Sequence, residues 1–458
     1  MPSRFDAAII GTGQAGPPLA NRLTRAGMAV AVIERGRFGG TCVNTGCTPT
    51  KTMVASAYAA HLVACAAEYG VAIEGRVSID LQRVVARKNV VSGTARRGVE
   101  SWLASMPGCT VLRGHGRFVS PTEIEVDGNR LTADRIFINV GTRALVPPIP
   151  GIDRVGFFTN GSIMDIESVP PRLLILGGSY VGLEFAQMFR RFGSDVTIVE
   201  AGPRLIPRED EDVSDAIRDI LEREGVTVHV AAKCTGLVKN GASIIARLDA
   251  NTGPAEVEAT HLLLAIGRKP NTDDLGLDQA GLAADQHGFV PTDEYLRTAA
   301  QHIYALGDCN GRGAFTHTSY NDSEIVAANL LDGENRRVTD RVTTYGLFID
   351  PPLGRVGLTA REAQETGHKI LVGKRMMTQV KRAVEKGETL GFMKILIDAE
   401  TSRILGAAIL GTGGDEAVHC VTATMYADVP YTTLQRAVHI HPTVAELIPT
   451  VLGELTPL

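Results

Sequence analysis

At 458 residues, 44% of them hydrophobic, the chain is too long for one ordinary domain and apolar enough to bury two or three cores. A net charge of -5 withholds the basic footprint that nucleic acid needs, and no run of 18 apolar residues offers a membrane span. The N-terminus passes into a strand-like stretch, residues 5–10, with no charged-then-apolar leader, so a cytoplasmic protein is expected. Seven cysteines scattered at 42, 47, 65, 109, 234, 309 and 420 make no secreted disulfide framework, and a lone close pair in a reducing compartment points to catalysis.

The first unit reads as a strand over 5–10, the turn Gly11-Thr12-Gly13-Gln14-Ala15-Gly16, a helix to about 26, a strand over 29–33, and Glu34. Gly11, Gly13 and Gly16 let the turn tighten and the backbone approach a pyrophosphate at the helix N-terminus. Glu34, 23 residues after Gly11, can accept from ribose hydroxyls, so the unit predicts a dinucleotide site. Next comes Gly39-Gly40-Thr41-Cys42-Val43-Asn44-Thr45-Gly46-Cys47-Thr48-Pro49-Thr50-Lys51, which reads as a redox-active cysteine pair. In a straight helix residues five apart stand roughly 8 to 9 Å from each other at Cα, from the ~1.5 Å rise and ~2.3 Å radius, beyond the ~7 Å limit for a bridge. The segment must bend, and Gly46 can supply the bend. Pro49 suits the first turn of a helix running through Lys51 to about 60, which sets Cys47 near a helix N-terminus where a thiolate is favoured. Two unrelated core cysteines remain an alternative. So does a zinc site, although only His61 and Cys65 lie nearby as further ligands; no metal centre is assigned.

Residues 51–67 and 81–103 read as helices, with short strands around 111–118 and 123–126 and a hairpin turn at 127–129. Residues 135–142 form a buried strand reaching Gly141, and 147–151 look like a linker. A second unit repeats the first: a strand over 172–176, Gly177-Gly178-Ser179-Tyr180-Val181-Gly182, a helix to about 192, a strand over 196–199, and Glu200, again 23 residues on. Ser179 stands where a middle glycine is usual. Two such units in one oxidoreductase suggest FAD and a nicotinamide cofactor. Glu200 favours NADH by accepting from a 2'-hydroxyl and repelling a 2'-phosphate, while Arg204 and Arg208 could hold such a phosphate. Residues 262–271 form a strand leading to Gly267, and 302–308 a strand ending at Asp308. His317 reads as a capping or packed histidine before a helix over about 321–331. From 338 onward strand-like and helical pieces alternate, and His441 and Glu446 stand in His439-Ile440-His441-Pro442-Thr443-Val444-Ala445-Glu446.

The block 39–51 resembles the redox signature of the flavoprotein pyridine nucleotide-disulfide oxidoreductases, the family of dihydrolipoyl dehydrogenase, glutathione reductase and mercuric reductase, and the pattern recurs from Phe5 to Glu446. The resemblance implies an α/β fold: two Rossmann-like dinucleotide-binding domains plus a C-terminal α+β dimerisation domain. The expected division is FAD-binding over 1–146 and 268–337, NAD(P)-binding over 147–267, and dimerisation over 338–458. It implies a redox disulfide between Cys42 and Cys47. Gly11, Gly13, Gly16, Glu34, Gly40, Thr41, Lys51, Gly116, Gly141 and Asp308 are then expected at FAD, the last on its ribityl chain. Gly177, Gly178, Ser179, Tyr180, Gly182, Glu184, Glu200 and Gly267 are expected on the NAD(P) side, with Tyr180 gating the nicotinamide and Glu184 pairing with Lys51. The segment around His441 is similar to the His-Pro-Thr-x-x-Glu motif, which makes His441 the acid/base and Glu446 the group that fixes its tautomer. The family sends this histidine to the disulfide of the other subunit, so a homodimer is expected.

The implied relay runs from NAD(P)H through FAD to Cys47 and Cys42 and on to an acceptor. Gln14 and Asn21 stand where glutathione reductases carry Ser and Arg groups, which disfavours glutathione. The segments 11–20 and 48–51 look closest to mercuric reductases, yet the chain ends Gly453-Glu454-Leu455-Thr456-Pro457-Leu458, without the vicinal cysteine pair those enzymes use. The leading reading is an FAD-dependent NAD(P)H:disulfide oxidoreductase with a small or protein-bound disulfide acceptor and no nucleic-acid or membrane partner. The alternatives are dihydrolipoyl dehydrogenase, a mercuric reductase-like enzyme without that pair, and a non-catalytic redox-sensing flavoprotein.

Overall fold

The structure is a computed structural model that describes residues 3–250 and 253–458. Its first sheet is built from β1 (Ser3–Ile10), β2 (Val30–Glu34), β3 (Cys109–Arg113), β4 (Gly116–Ser120), β5 (Glu123–Val126) and β6 (Asn129–Ile138), in the order β3-β2-β1-β6-β5-β4. Strands β1, β2, β3 and the core half of β6 run parallel, while β4, β5 and the start of β6 form an antiparallel meander. In β1, Ala8 and Ile10 face one core with Ile33, Ile136 and Ile138, and Ala7 and Ile9 face another with Leu19, Leu23 and Val32. The period of two in a strand buried on both faces explains the unbroken apolar run. The helix α1 (Gly16–Arg25) lays Leu19, Ala20 and Leu23 on the second core. The expected strand cluster at 111–118 divides at Gly114 and His115: β3 closes one edge of the sheet and β4 lies at the opposite edge.

Between β2 and β3 come α2 (Gly40–Asn44), α3 (Cys47–Ala64) and α4 (Leu81–Ser105). The short β7 (Thr142–Ala144) then leaves the first sheet. A second parallel sheet follows from β8 (Arg172–Leu176), α5 (Tyr180–Phe192), β9 (Asp195–Val199), α6 (Glu211–Arg223) and β10 (Thr227–His229). The antiparallel meander β11 (Ala232–Asn240), β12 (Ser243–Ala250) and β13 (Glu256–Ala259) precedes β14 (His261–Leu264), which pairs with β8. Leu173 and Ile175 pack with α5 and α6, while Leu174 and Leu176 pack with Leu237, Ala246 and Leu248 of the meander, so each face of this sheet is covered. The chain returns along β15 (Arg268–Pro270), paired antiparallel with β7, and reaches β16 (Ile303–Ala305), which adds to β6. The helix α7 (Thr316–Ala327) starts five residues before the predicted 321, because Thr318 folds its hydroxyl onto Phe315 N at 3.2 Å and caps a turn with no apolar period.

The remaining strands are β17 (Thr344–Leu347), β18 (Leu353–Gly357), β19 (Ile370–Met376), β20 (Phe392–Asp398), β21 (Ile404–Leu410) and β22 (Thr456–Pro457). They form one antiparallel sheet, β17-β18-β21-β20-β19-β22, whose strands β20 and β21 are buried along their whole length. No helix among the described residues is long and apolar enough to cross a membrane.

Candidate active site

The strand ends of both parallel sheets open on one cavity of ≈ 1460 Å³, larger than the roughly 300–1,000 Å³ that suits a single small ligand. Gly11 leaves β1 at φ +105°, and a Cβ there would stand 2.3 Å from the carbonyl oxygen of Asn139. Gly177 repeats this at φ +112°, 2.4 Å from the carbonyl oxygen of Ala265. Gly16 and Gly182 let each helix close on its own strand: an added Cβ would meet the carbonyl oxygens of Gly11 and Gly177 at 2.5 and 2.1 Å. Gly13 and Gly178 complete the two turns and line the cavity. Ser179, in place of a glycine, precedes the first residue of α5.

The two acids behave alike. Glu34 accepts from Thr12 N at 2.9 Å, Thr12 Oγ1 at 2.5 Å and Gly36 N at 2.7 Å, and Glu200 accepts from Gly178 N and Gly202 N, each at 2.6 Å. Each carboxylate ties the end of its second strand to the glycine turn. With about four lone-pair sites each, both retain capacity for ribose hydroxyls. Bare glycine edges at helix N-termini, with an acid in reach, fit the pyrophosphate and ribose of a dinucleotide twice over.

The helical path breaks between the cysteines, α2 ending at Asn44 and α3 starting at Cys47 with Gly46 as its N-cap. A Cβ on Gly46 would press on the carbonyl oxygen of Thr41 at 3.0 Å. The block is pinned to the first glycine turn by Gly39 N on the Thr12 carbonyl at 3.1 Å and Gln14 Nε2 on the Gly39 carbonyl at 2.9 Å. Gly40 sits at φ +62° against Gly13, where a Cβ would come 2.9 Å from its Cα, and Thr41 Oγ1 accepts from Arg268 Nη2 at 3.3 Å. Cys42 and Cys47 are free thiols that hydrogen-bond each other, and Cys47, open to the cavity but enclosed by its walls, has Thr316 Oγ1 3.3 Å from its sulfur.

Their proton affinities separate. The Cys42 thiol's hydrogen bond, with help from Thr316 and the charge of Lys51, holds Cys47 at about 6 against burial. Cys42 is driven far above the usual thiol range by its hydrogen bond to Cys47, by burial and by the Cys47 charge. Lys51 Nζ lies 2.8 and 2.7 Å from the two oxygens of Glu184 and 4.6 Å from the centre of the Phe348 ring.

Asp308 accepts from Thr142 Oγ1 at 2.9 Å and lies 4.0 Å from Arg268 Nε; burial raises its pKa, and the Arg268 charge pulls it back. Gly116 lines the cavity, with Ile33 Cγ2 3.1 Å from where a Cβ would sit. Gly141 and Gly267, at φ +62° and +133°, precede β7 and β15 and also line the cavity. Tyr180 meets Phe315 and Tyr345 edge-on at 5.5 and 5.6 Å between ring centres. His317 stacks on Phe315 at 5.4 Å and bonds the Thr344 carbonyl at 2.7 Å. Arg204 is engaged by Glu211 and Asp215 at 3.0 and 2.5 Å, whereas Arg208 lines the cavity. His441 does not line the cavity of its own chain; its side chain is 70% exposed, with Nδ1 2.9 Å from Glu446 Oε2. Thr316, Asn139, Phe348 and Tyr345 were not singled out in the sequence. Only Thr316 had a signal, its place just after the predicted Asp308 strand.

Residues 5–323 match the family described as pyridine nucleotide-disulphide oxidoreductase, and residues 343–452 match the dimerisation domain of the same family. The chain is 36% identical over 453 residues to the probable pyridine nucleotide-disulfide oxidoreductase RclA of Escherichia coli (strain K12), covering 97% of this chain and 98% of that one. It is 33% identical to a mercuric reductase of Streptomyces lividans, over 97% and 94% of the two chains. The solved structure titled HOCl-induced flavoprotein disulfide reductase RclA from Escherichia coli superposes with a TM-score of 0.89 at 35% identity, covering 98% of this chain and 99% of that one. The chain belongs to the pyridine nucleotide-disulfide oxidoreductases, FAD-dependent flavoenzymes that draw on NAD(P)H and act on sulfur groups.

Proposed function

We propose that the chain is an NADH-dependent reductase of a small or protein-bound disulfide, working in the cytoplasm as a homodimer, with Cys42 and Cys47 as its redox pair. One observation carries this reading: the break at Gly46 sets Cys42 and Cys47 together on the wall of the cavity onto which both glycine turns open, and their proton affinities are pushed in opposite directions, Cys47 down and Cys42 up. Bound FAD supplies the two-electron chemistry between nicotinamide and cysteines. The chain's own groups do the rest. Gly11, Gly13, Gly16, Glu34, Gly40, Thr41, Lys51, Gly116, Gly141 and Asp308 hold FAD, drawn from the segments 1–146 and 268–337. Gly177, Gly178, Ser179, Tyr180, Gly182, Glu184, Glu200 and Gly267, within or beside 147–267, serve the nicotinamide nucleotide.

Cys42, the protonated partner, gives its proton to a base and attacks one acceptor sulfur, forming a mixed disulfide and releasing the first acceptor thiolate, which takes that proton. Cys47 then attacks the Cys42 sulfur, releasing the second acceptor thiolate and closing the Cys42–Cys47 bridge. His441 suits the role of base, because the Glu446 carboxylate takes Nδ1–H and leaves the lone pair on Nε2. Its exposure, with Val438 at 100% and Ile440 at 79% beside it, supports a segment within 338–458 that is buried against, and serves, a second subunit. The choice of NADH rests on Glu200, which is held at the end of β9 by Gly178 N and Gly202 N, and on the loss of Arg204 to its carboxylate partners, although Arg208 and Lys233 still line the cavity.

The test is anaerobic titration of the purified protein with NADH and, separately, NADPH, followed by absorbance. NADH should produce a long-wavelength band of a thiolate beside oxidised flavin, discharged by one disulfide in a panel. Bleaching with no such band, or a band that no disulfide discharges, would refute the reading.

A further inference from the structure

Resting on the reading of Tyr180 as a nicotinamide-side residue, we infer that Arg355 is a positioning residue for that side of the site, acting through Glu209 and Tyr345 to hold the Tyr180 ring in place. Arg355 is 1% exposed in β18, and its guanidinium grips the Glu209 carboxylate with Nε on Oε1 at 3.2 Å and Nη2 on Oε2. Glu209 is itself buried just before α6, and its Oε1 also accepts from the Tyr345 hydroxyl. The Tyr345 ring lies edge-on to Tyr180 and stacks on Phe315 at 5.7 Å and 9°. Three parts of the chain that are far apart in sequence thus meet at one aromatic contact. The ion pair restrains Tyr345 at its hydroxyl, and Tyr345 restrains Tyr180 at its edge.

Both ends of this chain of contacts reach the cavity. The Nη1 group of Arg355 and the hydroxyl of Tyr180 are both buried without a hydrogen-bond partner among the described residues. Both residues line the cavity. The Tyr180 ring is held by its edge contacts with Phe315 and Tyr345, and of these two Tyr345 is the one tied to the ion pair. Burial raises the Tyr180 pKa and the Glu209 charge adds to that, while Arg208, the Tyr345 hydroxyl and Arg355 pull it back.

The experiment is a double-mutant cycle on the holoenzyme with Tyr345→Phe and Tyr180→Ala, reading the NADH dissociation constant by fluorescence quenching together with KM and kcat. Tyr345→Phe keeps the ring and loses only the bond to Glu209. It should weaken NADH binding and raise KM together by about tenfold, the loss of a hydrogen bond to a charged group, with kcat changed less than twofold. In the Tyr180→Ala background the same substitution should do nothing, because the residue it positions is gone. Arg355→Lys, which keeps the charge but not the fork, should repeat the Tyr345→Phe effect. An unchanged KM in Tyr345→Phe, or an equal effect in both backgrounds, overturns the inference even if the variants are less heat-stable. If Tyr180→Ala itself leaves NADH binding untouched, the nicotinamide-side reading of Tyr180 fails first.

Discussion

Replacing Thr316 with valine keeps the shape and removes the hydroxyl that stands 3.3 Å from the Cys47 sulfur. Thr316 ranks after Cys42 among the groups that lower the Cys47 pKa. A hydrogen bond to a charged group contributes roughly 1.5–3 kcal/mol, and the diffuse charge of sulfur places this one near the lower end. At about 1.4 kcal/mol per unit, the Cys47 midpoint should rise by about one unit, from about 6 to about 7. The sign is fixed: the thiolate exists above the midpoint, so raising it removes thiolate at neutral pH. At pH 7 the ionised fraction should fall from about 90% to about half. The assay is the rate of iodoacetamide alkylation of the reduced protein between about pH 5 and 9, read by mass on the peptide that carries Cys47 because other free cysteines are partly exposed, with Cys42 staying protonated throughout. Thr316→Ser should restore the original midpoint. A Thr316→Val midpoint within about 0.3 unit of the parent protein's, a difference of about 0.4 kcal/mol, would refute the argument that this hydroxyl stabilises the thiolate.

Cys42→Ser should abolish disulfide turnover and leave bound FAD reducible by NADH, which stopped-flow absorbance separates; persistent turnover would remove Cys42 from the relay. His441→Ala should lower kcat by about 10²- to 10⁴-fold, and a loss of only a few-fold would make the histidine structural. Glu200→Ala should cost NADH about tenfold in kcat/KM, from one charge-assisted bond, while NADPH improves; a uniform loss with both would mean that Glu200 only braces the turn at Gly178 and Gly202. Arg191, 5% exposed and shared between Glu224 and Asp350 at 2.7 Å each, strips two half-buried carboxylates of their cation when replaced by methionine, although Glu224 keeps its bond from Gln187 at 2.9 Å. That should destabilise the protein by about 1.5–3 kcal/mol, read as a lower denaturation midpoint, and a change under about 0.5 kcal/mol would contradict the argument.

The two glycine–acid units were legible because each places its signal within a few dozen residues: an apolar strand, a glycine turn, an amphipathic helix and an acid at fixed spacing. The break at Gly46 was legible for the same reason, since two cysteines five apart force it. The helical pattern beyond was read over 51–67, and the helix ends at Ala64 with a separate tight turn over Ala66–Tyr69. The meander β11–β13 has no counterpart among the expected elements; its strands carry charge on the open face and owe their burial to Leu174 and Leu176, which lie more than fifty residues upstream. The placement of β3 and β4 on opposite sheet edges is likewise a long-range fact, decided by pairing with β2 and β5. In the site, Thr316 reaches Cys47 across 269 residues, and Asn139 reaches Gly16 across 123. No local periodicity encodes either meeting.

The two-residue strand β22 has a consequence for how the molecule behaves in concentrated solution. It covers β19 at Leu371 and Val372, and Leu458 N adds a bond to the Ile370 carbonyl, so the outer ladder of the six-stranded sheet is occupied where another chain could dock. Pro457 has no N–H to offer a next strand. The short proline-bearing cover thus acts as a stop against edge-to-edge polymerisation. Removing residues 456–458 should therefore leave the redox site intact while exposing a sticky seam, and the protein's shelf life would suffer before its chemistry did.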